Sequence, residues 1–221
     1  LTSEHSERLH QSIRQRRLVK KFVSFTAGTM KAESLSITNY DFVTPALCRG
    51  FFKIMQEIFM TDELIIRTTE FFRGDARRIQ HFMKVYTYAA LIGRMEGLDD
   101  DTMRVLEAAA VVHDTGIKKA EELYGYNNGK LQEQYGPEAA DVLLKECGYD
   151  LKDRERVRYL VAHHHTYTGM DGADYGILVE ADFLVNMYED DADIDAVRTA
   201  YDKIFTTESG KRICRTMYDL N

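Results

Sequence analysis

Apolar residues recur at helical spacing through most of this 221-residue chain, and strand signals are scarce. RRIQHFMKVYTYAALIG places Ile79, Phe82, Met83, Tyr86 and Ala90 on one face, widened by Val85, Tyr88 and Ile92. GLDDDTMRVLEAAAVV opens on aspartates suited to an N-cap and then runs apolar up to His113. GPEAADVLLKECG has Pro137 near an expected helix start and Gly148 near its end. DLKDRERVRYLVAHHH, YGILVEADFLVNMYEDD and IDAVRTAYDKIF add three more helical patterns. Only two prolines, Pro45 and Pro137, stand in the way of long helices. Asn128-Gly129 sits in the polar stretch YGYNNGK and reads as a surface turn. The expected fold is all-α, a single helical body over residues 36–221 preceded by a basic N-terminal extension over residues 1–35.

That extension contains seven basic side chains against two acidic ones over residues 1–31, and its first methionine is Met30. It is expected to be a flexible arm, or residues foreign to the protein ahead of a start at Met30, rather than a transit peptide, and it carries no chemistry. With a net charge of −7 overall, the body is more acidic still, which argues against duplex nucleic acid as a partner. No stretch approaches the roughly 20 apolar residues that cross a bilayer, so no membrane association is expected. Cys48, Cys147 and Cys214 are far apart and form no CxxC pair. That usage fits a reducing compartment, and a cytoplasmic location is expected.

The chemistry lies where apolar patterns are broken. His81 stands among Ile79, Phe82 and Val85, His113-Asp114 ends the run AAAVV, and Asp182 lies between Leu178 and Val185 once Glu180 points to another face. One histidine on an apolar face is more often a hydrogen-bonded core residue than a ligand. A buried, unpaired aspartate is costly, however, and here imidazoles and carboxylates recur on separate helices. A single divalent cation would compensate all of them, and an N/O donor set suits Mn, Fe, Co, Ni, Zn or Mg.

Taken together, RRIQHFMKV, AAAVVHDTGIK, HHHTYTG and LVEADFLVN resemble the HD-domain superfamily of metal-dependent phosphohydrolases over roughly residues 70–190. The resemblance implies an all-α fold and the metal ligands His81, His113, Asp114 and Asp182. It implies that Asp114 both ligates and orients a water, with Lys118 as a further catalytic candidate. Arg77, Arg78 and Lys118 are candidates for holding phosphate, although each alone is more often a solvated surface charge. Some HD subfamilies bind a second metal through a further histidine and a histidine pair. Here the pair is His163-His164 or His164-His165, preferably the latter, and Glu133 stands near the place where Tyr135 replaces the further histidine. Glu133, His164 and His165 are therefore candidates for a second metal or for substrate contact, with a mononuclear site the expected outcome. DGADYG lacks the proline of the cyclic-dinucleotide phosphodiesterase motif. The expected function is hydrolysis of a phosphomonoester or phosphodiester in a small phosphorylated substrate such as a nucleotide. A dinuclear-iron HD-type oxygenase and a non-catalytic nucleotide- or metal-sensing domain are the alternatives.

Overall fold

Most of the described helices begin at a side chain that takes up one of the otherwise unpaired first amides. The computed structural model describes residues 59–220, which are helical with no strand among them. After a helical stretch over residues 59–71, Asp75 caps α1 (Ala76–Met95) by accepting from the Arg78 amide. Asp99 caps α2 (Asp100–Val112), which passes into a 3-10 turn, His113–Thr115, and then α3 (Gly116–Tyr124). Asn128 caps α4 (Gly129–Cys147), and Asp150 caps α5 (Leu151–Val161). There follow α6 (Ala173–Glu189), α7 (Ile194–Ile204) capped by Asp193, and α8 (Glu208–Tyr218) capped by Thr207. The expected boundary at residue 35 and the reading of the basic extension lie outside the described residues.

Helix α6 is the central element, with Ile177, Leu178, Val179, Ala181 and Leu184 all fully buried. It packs against α1, α2, α7 and α8, which is why its apolar pattern runs nearly all round the helix. Each such leucine or isoleucine contributes about 1.5–3 kcal/mol relative to exposure. The Ala108–Val112 run of α2 is equally buried, and its small residues let α1, α5 and α6 approach closely around the point where the helix ends.

Two local expectations are corrected. Asn128-Gly129 is not a free surface turn, because Asn128 Oδ1 accepts from the Leu131 amide at 3.0 Å and thereby starts α4. Pro137 consequently lies inside α4 rather than near its start. Glu180 faces away from Asp182 as expected, and it is fully buried. Its Oε1 accepts from the amides of Thr206 and Thr207, at 2.6 and 2.8 Å, and ties the α7–α8 connection to α6.

One crossing positions everything that follows. The 3-10 turn lies against α4 where Gly116 meets Gly136, and Thr115 Oγ1 donates to the Gly136 carbonyl at 3.2 Å. A Cβ on Gly116 would stand 2.3 Å from the Gln132 carbonyl oxygen, so only glycine permits this backbone-to-backbone approach.

Candidate metal centre

Three histidines face one point because each has its outer nitrogen held. His113 closes α2 and its Nδ1–H donates to the Ala110 carbonyl at 2.9 Å. His164, in the turn after α5, repeats the device on the Val161 carbonyl at 2.8 Å. His81, from α1, donates from Nδ1 to Glu189 Oε2 at 3.1 Å, and Lys84 Nζ holds that same carboxylate at 2.6 Å. In each ring this turns Nε2 inward, the arrangement in which metal-binding imidazoles are oriented by a partner on the far nitrogen.

Asp182 from α6 and Asp114 from the 3-10 turn complete the cluster. Asp182 Oδ1 lies 3.2 Å from His81 Nε2 and 3.5 Å from His113 Nε2. Asp114 Oδ2 lies 3.5 and 3.6 Å from the same two nitrogens, while its Oδ1 lies 3.7 Å from His164 Nε2. Close as they are, Asp182 Oδ1 and His164 Nε2 are buried polar atoms without a hydrogen-bond partner. Two converging carboxylates, with imidazole lone pairs aimed between them, form a donor set that a divalent cation completes. His81, His113 and Asp182 bring ligand atoms within 4.8 Å of one another, and so do Asp114, His164 and His165. With 16% of its side chain exposed against 5% for Asp182 and none for His113, Asp114 marks the side open to solvent.

The electrostatics show the same demand for positive charge. Burial disfavours the imidazolium of His113, but the charges of Asp114 and Asp182 outweigh it and hold the pKa up at about 9. His81 is raised too, burial being overcome chiefly by its contact with Asp182. Burial would raise Asp114, yet His113 beside it brings the carboxyl down to about 2, and Asp182 is likewise held well below the usual range. The carboxylates stay ionised, and without a metal the protons on His113 and His81 supply the balancing positive charge that a divalent cation would replace.

The other expected site residues are placed as follows. His165 stands beside the centre with its Nε2 2.6 Å from Gln132 Oε1, and burial together with His164 pulls its pKa down to about 4. Glu133 Oε1 accepts from the His165 amide and from Thr166 Oγ1, both at 3.0 Å, and so braces the histidine-rich turn. His163 turns to the Tyr159 carbonyl at 2.7 Å. Lys118 is exposed and donates to the Phe71 carbonyl at 3.1 Å, while Arg78 is engaged by Asp75 and Glu121 at 2.6 and 2.5 Å. Arg77 is exposed, 3.6 Å from Asp190. Glu189, Lys84 and Gln132 escaped the reading of the sequence. Glu189 follows Asp182 on the same helix two turns on, a spacing that could have drawn notice, whereas nothing local distinguishes Gln132.

The family profile of the HD domain matches residues 78–198, more than half the chain and all of the centre. The chain belongs to the HD-domain family. Its fold is similar to the crystal structure of a predicted HD superfamily hydrolase from an uncultured Thermotogales bacterium. That likeness has a TM-score of 0.52 at 24% identity, over 72% of this chain and 84% of the other. No curated protein matches the chain significantly. Membership of this family accounts for the all-helical fold and for a His/Asp cluster able to hold a divalent metal. No described helix is long and apolar enough to cross a membrane.

Proposed function

We propose that this HD domain is a metal-dependent phosphohydrolase, cleaving a phosphomonoester or phosphodiester in a small phosphorylated substrate. The observation that carries the reading is Asp182 Oδ1, buried without a hydrogen-bond partner between the inward nitrogens of His81 and His113. His81, His113, Asp114 and Asp182 would hold the cation, whose charge polarises a phosphoryl oxygen and favours ionisation of a nearby water. Asp114 divides its two oxygens, Oδ2 toward the histidines and Oδ1 toward His164. It can therefore orient the attacking water at Oδ1 and accept its proton there, with His164 Nε2 the neighbouring base. Tyr167 is 40% exposed and its hydroxyl lies 3.3 Å from His165 Nδ1, so an aromatic face stands at the rim. A nucleobase stacks on such a face, which favours a nucleotide among phosphorylated substrates. An oxygenase of the dinuclear kind is disfavoured by Tyr135, whose hydroxyl pairs with that of Tyr124 at 2.8 Å.

The test is phosphate release from nucleotides and sugar phosphates by protein stripped with chelator and reloaded with Mn, Fe, Co, Ni, Zn or Mg. Metal-dependent release supports the reading. Binding of a nucleotide without turnover under any metal overturns it in favour of a sensing domain.

A pH dependence follows from the proton on His113. Metal binding needs the neutral imidazole, so a cation must displace that proton wherever the pH lies below about 9. Affinity for the ion is expected to rise with pH, by up to about tenfold per unit for each proton displaced, and to level off above that value. Calorimetric titrations in buffers of different ionisation enthalpy should report proton release near neutrality. No buffer dependence would mean that the imidazoles are already neutral.

A further inference from the structure

His165 is held by a chain of hydrogen bonds whose directions are dictated from its far end. Glu121 Oε1 is a carboxylate oxygen, able only to accept, and it takes a bond from Arg78 Nη2. Asn127 must turn its Nδ2 to the same oxygen, at 2.8 Å, which leaves Asn127 Oδ1 as an acceptor. Gln132 meets that acceptor with its own Nε2 at 3.0 Å, so the atom it presents to His165 is Oε1. At 2.6 Å, this oxygen requires a proton on His165 Nε2, whether the ring is neutral or charged. The other ring nitrogen lies 3.3 Å from the Tyr167 hydroxyl. Both nitrogens of His165 are thus engaged, whereas His164 has a bare, buried Nε2.

We propose that Gln132 sets the metal count of this centre: by accepting from His165 Nε2 it withdraws that ring from the ligand set and limits the chain to one cation. The inference rests on the proposed metal site and deepens it. Asp114, His164 and His165 bring ligand atoms within 4.8 Å of one another, so release of the ring would create a second three-ligand pocket. Gln132 is itself buried, and Asn127 pins its amide, so it cannot turn to offer its nitrogen without breaking the chain. It is a positioning residue, acting through His165.

The experiment counts ions and reads the tautomer. Stripped wild-type protein is equilibrated with Mn²⁺, freed of excess ion and assayed for metal per chain, beside Gln132→Met, which removes the acceptor at similar volume. One ion is expected in the wild type, a rise toward two in Gln132→Met, and a return to one when His165→Ala is added. Nitrogen NMR of the metal-free wild type is expected to place the His165 proton on Nε2. Two ions in the wild type, a single ion in folded Gln132→Met, or a proton on Nδ1 alone would each overturn the proposal. Should Gln132→Met fail to fold, the wild-type count and tautomer still decide. A wild type that binds no ion would overturn the underlying metal reading, an outcome distinct from a count of two.

Discussion

Asp114→Ala is expected to lower metal-dependent phosphate release by about a thousandfold or more, equivalent to about 4 kcal/mol of transition-state stabilisation. The side chain supplies one oxygen toward His81 and His113 and the other toward His164, so its removal takes away both a ligand and the group that holds the water. The fold should tolerate the change. Asp114 lies on the open side of the cluster, so truncating it opens no cavity in the apolar core, although its favourable charge beside His113 is given up. Helical content by circular dichroism is therefore expected to be unchanged. The discriminating readout is thermal stability with and without metal. A bound ion raises the melting temperature of the wild type by mass action, and that rise should vanish in the variant. A variant with an undiminished metal-induced shift would remove Asp114 from the ligand set.

Gly116→Ala should disrupt the centre from outside it. The added Cβ would stand 2.3 Å from the Gln132 carbonyl oxygen, 2.7 Å from the Gly136 amide nitrogen and 2.8 Å from Gln132 Cα. All three are backbone atoms of α4, which cannot give way by a rotamer change, and overpacking of this kind costs about 1–3 kcal/mol. The 3-10 turn would have to lift off α4, carrying His113 and Asp114 with it. Urea unfolding should show the loss of stability, and titration should show metal affinity weakened by about 10–100-fold, as when the supports of ligands are removed. Gly176→Ala is the control. It lies within α6 and its Cβ would meet only Thr206 Oγ1, at an ordinary 3.7 Å. That change should leave stability equal or raise it slightly, through the lower entropy of the unfolded chain. Equal effects at the two glycines would remove the close crossing as the explanation.

The sequence by itself determined what depends on near neighbours along the chain. Helical periodicity marks α1, α2 and α6, because side chains three and four residues apart share a face wherever the helix sits. The aspartate before α2 is legible for the same reason, its carboxylate bonding an amide three residues on. The awkward polar residues His81, His113, Asp114 and Asp182 stand out against their apolar surroundings, although nothing local says that they meet. Where two local signals compete, the sequence is ambiguous. Asn128-Gly129 reads as a turn and Pro137 as a helix start, whereas packing of α4 on the 3-10 turn favours the longer helix that Asn128 caps.

Only the tertiary structure decided the rest. The sequence says only that Glu180 lies on another face than Asp182; its partners exist only once the α7–α8 connection presents the Thr206 and Thr207 amides to it. Gln132 looks like any polar residue on a helix, and it gains its role from a histidine 33 residues away. The approach of Gly116 to α4 likewise exists only when the two backbones touch. Periodicity and capping are local energies, summed over a few residues and readable in order. The direction of a lone pair or the gap between two backbones depends on how whole helices pack, which is not written at any one position.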